Sequence, residues 1–114
     1  MHRELSRRAA TVGRGRVPGQ LLDLGAFPGR VRDPAGGGPV VGEVYRLRDP
    51  DRALHVFDAY EGCGPDDPEP HLFRRDLEVV RLEDGGIVRA WVYSYQGERT
   101  GARVISSGDY AEAP

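Results

Sequence analysis

Residues 73–95 read FRRDLEVVRLEDGGIVRAWVYSY. Two runs rich in β-branched and aromatic residues, 73–82 and 87–95, flank Glu83-Asp84-Gly85-Gly86, a connection made of turn formers, so the stretch predicts a β-hairpin. On the second run Ile87, Trp91, Tyr93 and Tyr95 fall on one face, and Val88, Ala90, Val92 and Ser94 on the other. Both faces are largely apolar, which predicts a central strand in a closed or covered sheet.

Working outward, Asp49-Pro50 predicts a helix start, with a capping Asp and Pro at the first helical position, and Gly62 ends it. Ala53, Val56, Phe57 and Tyr60 recur at i, i+3, i+4 and i+7 as one apolar stripe. Leu54, Asp58 and Glu61 form the neighbouring stripe, so Glu61 belongs at the border of core and solvent. Residues 40–47 read as a strand, and 15–22 as another whose Pro18 confines it to an edge or a bulge. A last short strand is expected at 103–106, and residues 2–10 have the length of two helical turns. The chain turns over 23–29. The glycines and prolines of 33–39 predict a hairpin loop; it has a faint likeness to a phosphate-binding loop but no Lys-Ser/Thr after it. Residues 63–71 read as an extended loop whose Asp66, Asp67 and Glu69 are solvated.

The whole chain, 114 residues and 12.5 kDa, has the size of one domain over 1–114. A mean hydropathy of −0.53 and the lack of a long apolar run argue against a membrane span. The net charge of −2 leaves no global field to draw in nucleic acid. Every one of the 16 basic residues is Arg, a bias of coding composition. A single Cys makes no internal disulfide, and the start of the chain, despite Arg7-Arg8, has no apolar stretch of a signal, so the expected location is cytoplasmic.

Few residues carry a chemical signature. His2, His55 and His71 sit in no nucleophile motif, Cys63 has no activating neighbours in sequence, and no metal-ligand spacing is present. Arg3, Arg7, Arg8, Arg14 and Arg16 crowd the N-terminus, where a solvated face competes with a phosphate contact. Glu61 stands apart. It closes a helix, where the last carbonyls already carry partial negative charge, and Phe57 and Tyr60 flank it; both effects raise a carboxyl pKa. A carboxyl raised toward neutrality can shuttle a proton as a general acid and base. A structural or solvated Glu is the competing reading.

The order of motifs resembles the γ-glutamylcyclotransferase-like family, in its small AIG2-like branch. The likeness runs through Gly19-Gln20-Leu21-Leu22-Asp23-Leu24-Gly25-Ala26-Phe27-Pro28-Gly29, then Gly42-Glu43-Val44-Tyr45-Arg46-Leu47, then Phe57-Asp58-Ala59-Tyr60-Glu61-Gly62. It continues in Phe73-Arg74-Arg75, Ala90-Trp91-Val92-Tyr93-Ser94-Tyr95 and Ile105-Ser106-Ser107-Gly108-Asp109-Tyr110. The resemblance implies a mainly β, α+β fold, a small mixed β-barrel with a few short helices around a pocket for a γ-glutamyl group. It implies that Glu61 takes a proton from the substrate's α-amino group, which attacks the γ-carbonyl, and returns it to the departing amine, leaving 5-oxoproline. It also implies that Tyr93 and Phe73 line the pocket, that no metal or organic cofactor takes part, and that the partner is a small γ-glutamyl compound, with neither nucleic acid nor membrane involved.

One departure accompanies the likeness. Family members begin with a strand carrying a Tyr-Gly-Ser/Thr-Leu-like motif, whose loop offers backbone N–H groups to the substrate, and no such segment occurs here. The expectation is a shortened N-terminus that leaves open strand edges and weakens catalysis. A non-catalytic binding or interaction domain on the same fold is the alternative function.

Overall fold

The computed structural model describes residues 7–25, 27–32 and 38–110. Among them the chain forms β1 (Ala9–Pro18), β2 (Gln20–Asp23), β3 (Pro28–Val31), β4 (Pro39–Leu47), α1 (Pro50–Tyr60), β5 (Phe73–Leu82), β6 (Ile87–Tyr95) and β7 (Arg103–Val104). The mainly β, α+β class expected from the sequence is the one observed. Its strands form two sheets, ordered β4-β1-β5-β6 and β3-β2-β7, which do not close into a barrel, and every described pairing is antiparallel.

The β5–β6 hairpin has the bounds read from the sequence, with Phe73 opposite Tyr95 and Arg81 opposite Ile87. Gly86 donates its N–H to Asp84 Oδ1 at 2.7 Å and Leu82 donates to the Gly86 carbonyl at 2.8 Å, so the connection satisfies its own backbone. The expectation for β6 needs correction: it is an edge strand, not a central one. Its inner face supplies Val88, Ala90 and Val92 to the core, while Ile87 and Trp91 on the outer face stay exposed. The outer face is covered only toward the end of the strand, where Tyr95 is buried.

The expected strand over 15–22 is two strands, β1 and β2, divided at Gly19 after Pro18 ends the first. Proline has no N–H to continue a ladder. β1 also starts earlier than read, so Ala9 and Ala10 are strand rather than helix, while most of the helix expected over 2–10 lies outside the described residues. The turn expected over 23–29 contains the start of β3, which pairs with β2. Residues 33–37 lie outside the described part. The strands that they join, β3 and β4, belong to different sheets, so this connection is not a hairpin.

Two cores follow from this layout. Val17, Val40 and Val80 of the larger sheet bury themselves with Leu21 of β2, and Leu22 packs with Val31 and Tyr95. Neighbouring side chains on a strand point to opposite sides, so Leu21 and Leu22 place β2 between the two cores. Arg30 of β3 ties the sheets together. Its Nε and Nη2 donate to the Pro18 carbonyl at 3.1 and 2.6 Å, Nη1 to Glu78 Oε2 and Ser94 Oγ at 2.5 and 2.8 Å, and Nη2 to Glu78 Oε1 at 2.8 Å. All five guanidinium N–H groups are used, as burial of a charge requires. At the other end Asp109 pairs with Arg14, and Val41 donates its N–H to the Gly108 carbonyl at 2.8 Å. Gly108 has φ +70°, and a Cβ there would overlap the carbonyl of Pro39.

The helix α1 begins at Pro50 as expected, but Asp49 is not a side-chain cap. It adopts left-handed geometry (φ 45°) and accepts the Ala53 N–H through its backbone carbonyl at 2.9 Å. The buried face is also rotated from the one expected. Ala53 and Phe57 are buried, but Tyr60 is 63% exposed and Val56 only half-buried, while Leu54, Asp58 and Glu61 turn inward. The helix leans on the sheet edge with this second stripe. Among the described residues no helix is long and apolar enough to cross a membrane.

Candidate active site

The four-stranded sheet leaves β4 and β6 as its two edges, and α1 runs beside them. A cavity of about 670 Å³ opens between these elements. That volume lies within the range of small-molecule sites. One helical stripe, Pro50, Leu54, Phe57 and Glu61, forms a wall; residues 40–47 of β4 and 88–93 of β6 line the cavity too, with Val12, Gly15 and Val17 of β1, Arg30 of β3 and Val80 of β5.

Glu61 stands where α1 ends, and the local sequence explains its position. The Gly62 N–H bonds to the Ala59 carbonyl at 3.2 Å and the Cys63 N–H to the Asp58 carbonyl at 2.9 Å, the paired bonds of a Schellman motif. The motif needs a left-handed residue, and Gly62 supplies it with φ +74°. Glu61 is thereby the last residue held in the helix, with its N–H bonded to the Phe57 carbonyl at 2.9 Å. Its carboxyl has no hydrogen-bond or ion-pair partner among the described residues. Partial burial pushes its pKa up, because nothing nearby offsets the desolvation of the charged form.

Beside Glu61 lies a fully partnered cluster. Asp58 accepts Arg75 Nε and Nη2 at 2.8 and 3.1 Å and the Tyr93 hydroxyl at 2.6 Å. The Arg75 guanidinium also lies 4.3 Å from the centre of the Trp91 ring. Burial, followed by the bond to Asp58, raises the Tyr93 pKa far above that of an ordinary phenol. The phenol therefore stays neutral. Burial and the nearby Asp58 also push the Cys63 thiol up, which removes it as a nucleophile at neutral pH.

Of the residues singled out from the sequence, Glu61 and Tyr93 are brought together in the cavity wall. Phe73 is not among the lining residues; it packs against Tyr95 and Phe27, with ring centres 5.5 and 6.0 Å away, at the second core. His55 is exposed and His71 lies within reach of the Asp67 carbonyl at 3.2 Å. No group of three metal-ligating side chains occurs among the described residues. Of the N-terminal arginines, Arg14 is bound to Asp109, with Glu83 and Glu43 at 3.9 and 4.0 Å, and Arg3 lies outside the described residues. Asp58 and Arg75 went unmarked as site residues. Asp58 shares the stripe of Glu61, but Arg75 is 17 positions away on another element, and local spacing contains no sign of the pair.

The family described as Gamma-glutamyl cyclotransferase, AIG2-like, matches residues 1–112. Three solved structures are similar. The solution NMR structure of protein ytfP from Escherichia coli is 30% identical, with a TM-score of 0.66, covering 96% of this chain and 83% of that one. The crystal structure of the uncharacterized protein PH0828 from Pyrococcus horikoshii is 23% identical, with a TM-score of 0.64 and coverage of 98% and 79%. YkqA from Bacillus subtilis is 24% identical, with a TM-score of 0.71, and the chain, covered over 97% of its length, spans 34% of that protein. The last two show the fold alone. No curated protein matches the chain.

Proposed function

The chain belongs to the gamma-glutamyl cyclotransferase, AIG2-like family, and on that premise we propose that it cyclises a γ-glutamyl-amine or γ-glutamyl-amino acid, with Glu61 as general acid and base. The supporting observation is the half-buried Glu61 carboxyl, without a partner among the described residues, in the wall of a cavity of small-molecule size. A carboxyl bonded to an arginine would hold its negative charge too firmly to return a proton. One raised by burial takes a proton and gives it back more readily.

The chemistry balances on the substrate and this one residue. The neutral α-amino nitrogen forms the C–N bond to the γ-carbonyl carbon through its lone pair, and Glu61 removes one of its two protons as the bond forms. The tetrahedral centre collapses, the old C–N bond breaks, and Glu61 delivers the proton to the leaving nitrogen. 5-Oxoproline and a free amine result. The nucleophile belongs to the substrate itself, so the cavity's task is to hold a folded conformer. Tyr93 gives its only proton to Asp58, so toward a ligand its oxygen is an acceptor, suited to an N–H of the substrate's α-amino group. Arg46 and Arg89 also line the cavity, and neither has an ion-pair partner among the described residues; both disfavour a leaving amine with a cationic tail.

The test is 5-oxoproline release from a panel of γ-glutamyl-amines and γ-glutamyl dipeptides. Glu61→Gln, nearly isosteric, keeps the fold and lowers kcat by at least about 100-fold, the usual contribution of a general acid-base group. Turnover by Glu61→Gln at the wild-type rate would refute the assignment. Saturable binding without turnover by the wild-type chain would favour the binding-domain alternative.

A further inference from the structure

The carboxylate of Asp58 and its backbone carbonyl act at one helix end in two directions. The side chain is bound to β5 through Arg75 and to β6 through Tyr93. The carbonyl accepts the Cys63 N–H at 2.9 Å and so closes the turn that contains Glu61 and Gly62. Between the two anchors lies a single helical turn, with Glu61 bonded to Phe57 and Gly62 to Ala59. Such a turn transmits position with little slack. A bidentate arginine fork adds direction as well as strength, and Trp91 backs the fork from the other side.

We propose that Asp58, Arg75 and Tyr93 form a clamp of positioning residues, fixing the end of α1 on the β5–β6 hairpin and so setting where the Glu61 carboxyl stands in the cavity wall. The proposal rests on the catalytic reading of Glu61. The clamp acts on Glu61 through position and not through charge: burial alone raises the Glu61 pKa, and the charge partners of Arg75 are Asp58, Tyr93 and Cys63. The other groups around this helix end are Cys63 and Asp67 on the following loop, with Glu43 and Arg46 on β4 and Arg89 on β6 along the cavity wall. Arg30, on the same wall, is neutralised by Glu78.

Opening the clamp from either side therefore has the same consequence for Glu61. Asp58→Asn and Arg75→Ala each free the end of α1 from the hairpin, expose the Glu61 carboxyl to water and so lower its pKa toward the ordinary value, and misplace it, which lowers kcat by about 10- to 100-fold. The experiment titrates the carboxyl carbon of Glu61 by 13C NMR in the full chain, assigned through Glu61→Gln, beside the pH profile of kcat for 5-oxoproline release. The protein has one Trp, so emission from Trp91 reports whether each variant is folded and whether the arginine still covers the ring. The expected result is a downward shift of the Glu61 titration in both variants, with the acidic limb of kcat following it and KM changing less than kcat.

Arg75→Lys keeps the charge and loses the fork, so it should fall between wild type and Arg75→Ala in both readouts; this variant serves if Arg75→Ala does not fold. A Glu61 titration and a kcat that are both unmoved in folded Asp58→Asn and Arg75→Ala overturn the clamp. So do shifts of opposite sign in the two, which would report the removed charges and not a displaced helix end. If the titration moves down in both but no form releases 5-oxoproline, the clamp stands and the catalytic reading of Glu61 falls.

Discussion

Arg30→Met tests whether the charged bridge between the sheets holds them in register. Arg30 and Glu78 side chains are 7% and 12% exposed, so removing the guanidinium leaves a nearly buried carboxylate with no countercharge. It also strips donors from Ser94 and from the Pro18 carbonyl, both bonded to Arg30 at 2.6–2.8 Å. Breaking a buried pair from one side costs about 3–5 kcal/mol, a large part of the roughly 5–15 kcal/mol that holds a domain together. At about 4 °C per kcal/mol for a chain of this length, Tm falls by roughly 12–20 °C. The assay is urea unfolding followed by Trp91 emission, alongside thermal melts by circular dichroism. The double variant Arg30→Met/Glu78→Leu removes both charges and recovers most of the loss, since an apolar pair of similar bulk needs no countercharge. A loss below about 1 kcal/mol in the single variant would refute the reasoning, and so would a double variant no more stable than the single one. If the single variant does not fold, recovery in the double variant decides the question.

Two further effects concern stability. The folded pKa of Glu61 lies above its unfolded value, so folding disfavours the charged form: the penalty is absent below the unfolded pKa, grows as pH rises through the folded pKa, and is complete above it. Glu61→Gln is therefore expected to be more stable than wild type at pH 7 and equal to it near pH 3, and urea midpoints that differ by the same amount at both pH values would contradict this. Gly108→Ala places a Cβ on the Pro39 carbonyl at a left-handed φ of +70°, and should cost about 2–4 kcal/mol in urea unfolding, whereas Gly38→Ala, whose Cβ meets nothing within 4 Å, should cost less than about 1 kcal/mol. Equal losses at the two glycines would show that the close approach at Gly108 does not matter.

The hairpin and the helix were legible because each rests on local chemistry. Asp84, Gly85 and Gly86 close a turn within their own backbone, and Pro50 and Gly62 punctuate a helix without help from elsewhere. Apolar residues on both faces of β6 suggested a central strand, but that pattern is ambiguous. A strand can have two apolar faces because other layers cover both, or because it is an edge strand beside a cavity that residues of both faces line, as Trp91 and Val92 do here. The break at Gly19 was missed for a similar reason. Val17, Leu21 and Leu22 are all apolar and all buried, but they serve two cores, and composition does not say which.

The sequence by itself determined the mainly β class, the bounds of the β5–β6 hairpin and the placing of Glu61 at the end of a helix beside an apolar stripe, because turn residues, alternation and helix-ending glycine act over a few neighbouring positions. Only the tertiary structure decided how α1 and the strands would enclose the cavity that Glu61 and Tyr93 line, that Phe73 would face the other core, and that Asp58 would be held by Arg75. Those outcomes depend on how the two sheets and α1 pack. The partners lie 17 and 35 positions from Asp58 on separate strands, and a contact across that distance has no periodic trace in the chain that makes it.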